Sequence, residues 1–346
     1  MTKYTLPPMR PELVVCPNSA CGASDRIGVH SHQERRYICH TCATTFSETK
    51  GTLLYGLHHP AWLVILVLTL LAFGCPVPAI VAAFALDERT VADWQSKAGR
   101  HARAVQEEVV CAGQVDLGQV QADELYVKTQ QGPIWMATAM CVFPRLFVWG
   151  ALSAHRDERL LTAVMVKVRA AARRGQAILF AVDGLASYPT TILKVFRDPE
   201  RTGRPGRPRL VVWADLHIVQ VVKHRTGNAV TEVTRRVAYG SAAAAQEIMG
   251  ATQVLLGVIN TAYVERLNAT LRTWMPALTR RSRTPARDVA LLEARMFWTG
   301  VVYNFCHVHA SLRGTPAMAA ELTDHLWSVE ELIRRGGPLH QLHAIL

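Results

Sequence analysis

Several hallmarks of secreted and membrane proteins are scarce or missing in this sequence. Eight cysteines in 346 residues are too few for a secreted disulfide scaffold. Residues Met1 to Pro11 lack the apolar core of a signal peptide, and the chain has no internal repeat. We therefore expect a cytoplasmic protein in a reducing environment.

An uninterrupted apolar run long enough to span a bilayer is also missing. Residues 61–86 carry no charged side chain, but Gly74, Pro76 and Pro78 break the run after Phe73. The intact piece falls short of the ~20 residues that a transmembrane helix needs. We therefore predict buried helices here and no membrane partner.

Positive charge, by contrast, is abundant and unevenly placed. Lys and Arg number 38 against 27 Asp and Glu, a net charge of +11. Between Lys194 and Arg287 there are 16 basic and 6 acidic residues, so this stretch has a net charge of 16 − 6 = +10 and accounts for nearly all of the excess. Concentrated Arg and Lys favour a polyanionic partner, and nucleic acid is the first candidate. Half of the residues are apolar, which is enough for two or three folded units.

Two close cysteine pairs near the N-terminus predict a structural zinc site. Cys16 and Cys21 are separated from Cys39 and Cys42 by 17 residues. Zinc prefers four soft ligands at tetrahedral corners, and two tight turns can each present two thiolates. Such a site replaces the core that a short polar segment cannot build. We predict a zinc ribbon, with the remaining four cysteines buried and with three alternative ligands, His30, His32 and His40.

Residues 77–98 are typical of a helix, a short turn and a second helix. Asp87 is the predicted N-cap of the second helix. Val91 and Trp94 are expected to pack inward, three residues apart. The residues expected to face outward are Arg89, Gln95 and Lys97. This is the layout of a helix-turn-helix, whose second helix enters the major groove of DNA.

The region after residue 115 alternates predicted strands and helices and contains the candidate acids. Strands at 120–128, 135–142 and 146–152 precede a helix at 157–174, and a fourth strand at 177–182 leads directly into Asp183. This order predicts an α/β fold with a ribonuclease H-like core, a mixed sheet flanked by helices. Because the first and fourth strands of that fold are neighbours, Asp123 and Asp183 can approach each other. Glu124 is an alternative to Asp123, since successive strand residues face opposite sides.

A helix predicted from Ala262 to Trp274 supplies a third acid. Its apolar residues recur at intervals of three and four, and Glu265, Asn268 and Arg272 form a polar stripe beside them. Three converging carboxylates repel one another unless cations lie between them. Two Mg²⁺ about 3.5–4 Å apart relieve this repulsion and hold the attacking and leaving oxygens of a phosphodiester. The predicted catalytic magnesium ligands are therefore Asp123, Asp183 and Glu265.

Four motifs lie around and beyond these acids. They are VQADEL at 120–125, VDGLASY at 182–188, NTAYVERLNATLR at 260–272, and a last set made of Tyr303-Asn304, His309-Ala-Ser-Leu312 and Thr315-Pro316. Together they resemble the DDE transposases of bacterial insertion sequences, in particular the insertion sequence one family. The Glu-Arg-x-Asn on the third motif is the most specific match. The chain departs from the family at Cys306-His307-Val308, where relatives have Arg-Pro before the histidine.

The resemblance implies an enzyme that hydrolyses a phosphodiester at the element end and then directs the freed 3′-hydroxyl in line at target DNA. It implies Mg²⁺ or Mn²⁺ at the three acids, double-stranded DNA of element ends and target as partners, and a homo-oligomer that bridges two ends. Arg266, Asn268 and Arg272 are candidates for contacts to the DNA backbone, or equally for structural roles. Residues 197–241 look like an insertion or an extended strand pair of unassigned role, with an exposed basic loop at 201–209.

The expected domains are a zinc ribbon (1–52), a helix-turn-helix domain (53–108), a ribonuclease H-like catalytic domain (115–320) and a C-terminal tail (321–346). The alternative is a catalytically inactive or domesticated regulator that uses only the two N-terminal domains to bind DNA. The presence of all three acids favours the enzyme. A related nuclease acting on RNA is disfavoured by the DNA-reading N-terminus.

Overall fold

The computed structural model describes residues 8–201, 206–227, 229–252, 257–279 and 285–336. The chain divides into two compact units, one of residues up to Thr69 together with those from Trp327 onward, and one from Leu70 to Leu326. The predicted segment 53–108 is therefore shared between the units. Of the predicted tail at 321–346, residues 321–326 belong to the second unit, residues 327–336 belong to the first, and residues 337–346 lie outside the described residues. Within the predicted basic loop at 201–209, residues 202–205 lie outside the described residues.

The described chain contains ten α-helices and eleven strands. The helices are α1 (Ala61–Ala72), α2 (Val77–Phe84), α3 (Glu88–Val105), α4 (Glu158–Ala171), α5 (Ser187–Val195), α6 (Ala242–Thr252), α7 (Ala262–Trp274), α8 (Val289–Phe305), α9 (Pro316–Ala319) and α10 (Val329–Arg334). The strands are β1 (Ile27–Ser31), β2 (Arg36–Cys39), β3 (Thr45–Ser47), β4 (Gln119–Thr129), β5 (Gly132–Cys141), β6 (Leu146–Ser153), β7 (Ile178–Asp183), β8 (Arg197–Glu200), β9 (Arg209–Val212), β10 (Leu216–Thr226) and β11 (Ala229–Tyr239).

The first unit is built around a three-stranded antiparallel sheet in the order β1-β2-β3. The core around this sheet is small: Val14, Tyr37 and Phe46 pack with the cysteine side chains and with a few partly buried apolar residues. Helix α10 belongs to the same unit: Ile333 is buried, and its carbonyl accepts a hydrogen bond from Leu53 N–H (3.2 Å). Few apolar side chains thus hold the sheet together.

The apolar run at 61–86 forms two short helices, as the sequence predicts. The expectation that both are buried is wrong for α2, which packs on α3 and buries only Ile80. Helix α1 ends at Ala72, and Gly74 follows with a φ of +92°, a conformation that glycine adopts without strain. A Cβ at Gly74 would also lie only 2.9 Å from Thr273 O, so the backbone packs closely there. Within the described ranges, every helix is too short or insufficiently apolar to cross a bilayer.

The second unit contains a six-stranded mixed sheet in the order β11-β10-β7-β4-β5-β6. Strand β7 lies between two parallel neighbours, β4 and β10, and Ala122 of β4 is opposite Val182 of β7. The predicted adjacency of the first and fourth strands of this region is therefore confirmed. The segment 197–241 forms β8 and β9 as a separate pair, and then the β10–β11 hairpin that extends the sheet.

Helices cover both faces of this sheet. Leu179 and Ala181 of β7 pack with residues of α6 on one face. Phe180, which alternates with them, contacts Phe196 at the end of α5 on the other (5.1 Å between ring centroids). Helix α4 packs beside α5, and Val164 is among the residues that it buries, as the apolar period of the sequence predicts. The central strands are therefore enclosed on both sides.

Helix α8 joins α3 to the sheet. Gly99 of α3 is so close to α8 that a Cβ there would lie 2.3 Å from Ala294 Cα. At the far end of α8, Asn304 accepts a hydrogen bond from Phe147 N–H (2.9 Å) and donates one to Phe147 O (2.7 Å). The Tyr303-Asn304 motif therefore has a structural role, because it ties α8 to β6.

Candidate metal centres and active site

Four cysteine side chains of the first unit form a compact group. The Sγ atoms of Cys16 and Cys42 are 3.6 Å apart, those of Cys21 and Cys39 are 3.8 Å apart, and all four lie within 4.8 Å of one another. Tetrahedral zinc with Zn–S bonds of about 2.3 Å places its sulfur ligands about 3.8 Å apart. This four-cysteine group therefore has the spacing of a zinc site.

Two turns present these thiols. The first is closed by hydrogen bonds from Cys21 N–H and Gly22 N–H to Asn18 O (2.9 and 3.0 Å), with Gly22 at a φ of +57°. Cys39 ends β2, and Cys42 follows it in the second turn. The three histidines predicted as alternative ligands are not buried and lie outside the group, His30, His32 and His40.

The surroundings of the four thiols shift their pKa values in different directions. Hydrogen bonds from the side chain and then the backbone of Thr44 stabilise the Cys42 thiolate and lower its pKa to about 6. Burial raises the pKa of Cys16 to about 12. Because zinc binds thiolates, its binding is expected to release protons from this group, chiefly from the buried member. Outside the group only Cys141 is buried; contrary to prediction, Cys75, Cys111 and Cys306 are partly exposed.

Asp123 and Asp183 are brought together by the pairing of β4 with β7. The paired residues Ala122 and Val182 are followed directly by the two acids, so Asp123, within β4, lies beside the end of the parallel strand β7. Asp183 ends β7, and its Oδ1 accepts a hydrogen bond from Leu185 N–H (2.9 Å). Carboxylate oxygens of Asp123, Glu124 and Asp183 lie within 4.8 Å of one another.

Glu265 lies on the same cavity but outside that compact group. The cavity has a volume of about 380 Å³, and its lining includes Asp123, Asp183 and Glu265. Glu265 Oε1 accepts hydrogen bonds from Lys223 Nζ and from Thr261 Oγ1 (the latter 2.9 Å). The three predicted acids thus share one cavity, while Glu124 takes the third place in the compact group.

Asp123 faces α7, whereas Glu124 pairs with Arg156. Asn268 Nδ2 donates to Asp123 Oδ2 (2.9 Å), and Thr138 Oγ1 donates to Asn268 Oδ1 (3.0 Å). Burial, followed by the negative charges of Glu124 and Asp183, raises the pKa of Asp123 to about 6. A carboxyl group that is costly to ionise beside other acids is typical of a cation site.

Three residues that position these acids were missed by sequence reasoning. Gln121 is buried, and its Oε1 accepts hydrogen bonds from Tyr263 N–H (3.0 Å) and Val264 N–H (2.9 Å) at the start of α7. Gln121 lies two residues before Asp123 and therefore on the same face of β4, and this spacing could have identified it as a neighbour of the site. Lys223 and Arg156 have no such local signal, because each comes from a separate element.

The residues of α7 predicted to contact DNA differ in accessibility. Arg266 is exposed and Arg272 is partly exposed, so both remain candidates. Asn268 is only 1% exposed. Its amide is used by Asp123 and Thr138, so the structure corrects the DNA-contact interpretation of Asn268 in favour of a positioning role.

The residues of α3 predicted to face outward also differ. The N-cap is confirmed, since Asp87 Oδ1 accepts a hydrogen bond from Arg89 N–H (2.8 Å) and the Arg89 side chain is exposed. Lys97 is partly exposed and pairs with Asp93 (2.9 Å). Gln95 is buried instead, because its Nε2 donates to Leu291 O of α8 (3.0 Å). The expectation that Gln95 faces outward is therefore wrong.

Comparisons with known proteins assign no family to this chain. No protein-family model matches it, and no curated protein matches it either.

Proposed function

We propose that the chain is a DDE transposase, which cleaves DNA at the ends of an insertion sequence and transfers the freed strand into target DNA. The observation that carries this proposal is the meeting of Asp123, Asp183 and Glu265 at one cavity, from β4, β7 and α7. We further propose that the mixed sheet is a ribonuclease H-like core. The parallel pairing of β4 with β7 supports that interpretation.

The cavity suits Mg²⁺ or Mn²⁺. Both are hard cations that prefer oxygen ligands, and the crowding that raises the pKa of Asp123 is relieved by a cation. Asp123 and Asp183 would hold the cations, with Glu265 across the cavity as the third ligand. Bound cations would neutralise the charge that develops on the attacking and leaving oxygens of a phosphodiester.

The protein orients each acid through a hydrogen bond. Asn268 fixes one oxygen of Asp123, Leu185 N–H fixes one oxygen of Asp183, and Thr261 and Lys223 hold Glu265. A cation would use the remaining carboxylate oxygens, of which Asp183 Oδ2 accepts a hydrogen bond from Arg156 Nη2 (3.1 Å). Such supporting bonds matter because small displacements of catalytic groups reduce reaction rates strongly.

Double-stranded DNA is the proposed substrate and target. The net charge of +11 favours a polyanion. The four-cysteine zinc ribbon and a helix-turn-helix formed by α2 and α3 are proposed to bind the element ends, with Arg89 and Lys97 as the accessible basic residues of α3. Joining two ends to one target requires two sets of contacts, so the working form is proposed to be a homo-oligomer.

A DNA-binding regulator without catalytic activity is the second candidate. It is favoured by the position of Glu265, which pairs with Lys223 and lies outside the compact group of acids. A regulator derived from a transposase would retain the fold and the DNA-binding elements and lack turnover.

Cleavage of duplex DNA carrying the sequences that flank the gene discriminates the two candidates. The wild-type protein is expected to nick this DNA in Mg²⁺ and to join the 3′ end to a plasmid. Asp183→Asn and Glu265→Gln are each expected to lower the rate about 100-fold or more, with DNA binding retained. Glu247→Gln is the matched control, because Glu247 is an exposed glutamate on another helix, α6.

The two outcomes are distinct. Binding without cleavage by the wild-type protein, under conditions where Mn²⁺ binding is measurable, would favour the regulator. Strand transfer that survives both Asp183→Asn and Glu265→Gln would contradict the assigned active site.

A further inference from the structure

Arg156 brings a positive charge into the acidic cavity. It lies in the turn between β6 and α4, and its Nη2 donates both to Glu124 Oε2 (2.6 Å) and to Asp183 Oδ2 (3.1 Å). Its Nε donates to Glu124 Oε2 as well (3.0 Å). One guanidinium therefore neutralises two members of the compact acid group.

The two contacts of Arg156 are unequal. The side chain of Glu124 is 0% exposed, against 33% for Arg156 and 38% for Asp183. Glu124 Oε1 makes no direct hydrogen bond to a described residue; the buried Tyr188 interacts with this carboxylate, and Arg156 is the cation that pairs with it. Because Glu124 is fully buried, water cannot replace Arg156 as its partner, whereas an ion pair between two partly exposed groups is weak. The bond to Asp183 is therefore the one that exchanges readily.

The ring of Trp135 also helps to hold the Arg156 guanidinium in place. The guanidinium lies 5.1 Å from the ring centroid of Trp135 on β5, within the range of a cation–π contact. Nη1 makes no hydrogen bond to any described residue. The group is thus anchored by Glu124 and Trp135 and keeps donors at the cavity that it lines.

A divalent cation and Arg156 compete for the same oxygen of Asp183. A cation bound there repels the guanidinium and takes its acceptor, while the anchor at Glu124 stays in place. The donors released from Asp183 are then matched in geometry and charge to phosphate oxygens, which a guanidinium binds through two parallel hydrogen bonds.

We propose that Arg156 is a phosphate-binding residue of the cavity that Asp183 restrains until a divalent cation binds, and that Glu124 is its positioning residue. The claim that Arg156 binds phosphate rests on the proposed function, since the ligand is a phosphodiester of DNA. The claim that a cation and Arg156 compete for Asp183 depends only on the cavity and its carboxylates.

Calorimetric titration with Mn²⁺, on protein that keeps its zinc, tests the competition. Arg156→Gln is expected to tighten Mn²⁺ binding about tenfold, because a positive charge beside the ligands is lost. The double variant Glu124→Gln/Arg156→Gln replaces the ion pair by two neutral amides and is expected to tighten Mn²⁺ binding by a smaller factor, because Asp183 is released but the negative charge of Glu124 is lost as well. Arg159→Gln removes the same charge from an exposed position on α4 and is expected to leave Mn²⁺ affinity unchanged.

Binding of a fluorescent 30-base-pair duplex, measured with and without Ca²⁺, tests the phosphate contact. In Ca²⁺, Arg156→Gln is expected to weaken DNA binding about fivefold relative to wild type. Without Ca²⁺ the two proteins are expected to bind alike, because Asp183 then retains Arg156. Arg156→Lys keeps the charge but not the planar fork, so it is expected to retain wild-type Mn²⁺ affinity and lose DNA affinity in Ca²⁺.

Two results would overturn the proposal. The first is unchanged or weaker Mn²⁺ binding in Arg156→Gln. The second is Mn²⁺ binding that tightens in Arg156→Gln but not in the double variant, because Glu124 would then be binding the cation itself once Arg156 is removed. If neither neutral variant folds, Mn²⁺ binding by Arg156→Lys decides, and a tenfold change there overturns it. Tighter Mn²⁺ binding in both neutral variants, with no DNA cleavage by wild type, supports the competition and rejects the transposase.

Discussion

The four-cysteine group and the acidic cavity differ in how strongly the surrounding fold is expected to depend on a bound cation. The thiols come from one short segment, residues 16–42, and pack with a small apolar core around Val14, Tyr37 and Phe46. The carboxylates come from β4, β7 and α7, which the buried six-stranded sheet holds in place. Zinc is therefore expected to stabilise the fold of its unit, whereas a cation in the cavity relieves repulsion within a fold that forms without it.

Removing zinc should give the largest effect on the structure. Cys39→Ser, or a zinc-selective chelator, is expected to unfold the three-stranded sheet, because zinc contributes about 10 kcal/mol to the folding of small structural sites. The six-stranded sheet of the second unit is expected to remain folded. Hydrogen exchange measured by mass spectrometry can follow both sheets in one experiment.

Cys75→Ser is the matched control for this prediction. Cys75 is a free, partly exposed cysteine of the second unit. Its substitution should leave exchange in β1, β2 and β3 unchanged. Protection of these strands that survives complete loss of zinc would show that the small apolar core is sufficient, and the contrast between the two centres would disappear.

Asp123→Asn tests the other side of the comparison. The pKa of Asp123 is raised from its usual 3.8 to about 6, so the folded state holds a proton more tightly than the unfolded state. Stability is then lost as pH rises from about 4 to 6, by about 3 kcal/mol for this group. Without Mg²⁺, Asp123→Asn is expected to be more stable than wild type by about that amount at pH 7.5, and equally stable at pH 4.

Urea unfolding of zinc-loaded protein with and without Mg²⁺ measures this difference. Wild type is expected to gain about 2.7 kcal/mol at a Mg²⁺ concentration of 100 times Kd, and Asp123→Asn to gain almost nothing. Asp215→Asn, at an exposed acid near β10, controls for the loss of one negative charge. A variant that is less stable than wild type at both pH values would refute the view that the ionised carboxyl is a strained group.

The sequence was informative wherever a local pattern decides the structure. The apolar period of 262–274 gives α7 with the bounds that the structure has, and alternation with turn residues gives β4 to β7 within a few residues. The four-cysteine group follows from spacing alone, since its ligands are close in the chain. In these cases neighbours in sequence determine neighbours in space.

The arrangement of charges around the acids depends on contacts between distant elements, and local sequence does not predict it. From strand alternation alone, Glu124 is only an alternative to Asp123 as a metal ligand. Nothing near Glu124 in the sequence identifies Arg156, 32 residues away, as its partner. Helical position predicts an outward Gln95, but the close approach of α8 at Gly99 buries that side of α3. Packing between distant elements, which no local pattern encodes, determines both.

Asn268→Ala probes how the fold holds the cavity in shape. It removes the donor to Asp123 and the acceptor of the buried Thr138 hydroxyl, and is expected to cost about 1–3 kcal/mol of stability. The hydrogen bond from Asn268 lowers the pKa of Asp123, so its loss should move the pH midpoint of Mg²⁺-dependent stabilisation upward. Thr273→Ala, on an exposed turn of the same helix, should change neither quantity. An unchanged midpoint would mean that Asn268 is only a packing residue.

The smallest expected effects separate packing from DNA contact on α3. Gln95→Ala loses the bond to Leu291 O and is expected to cost about 1 kcal/mol of stability, with duplex affinity unchanged while the protein is folded. Arg89→Ala, at an exposed position, is expected to change stability by less than about 0.5 kcal/mol and to weaken duplex binding about threefold, with a shallower salt dependence. Urea unfolding and fluorescence anisotropy measure the pair. If both variants lose DNA affinity equally and Gln95→Ala keeps its stability, Gln95 contacts DNA. That result would contradict its burial against α8.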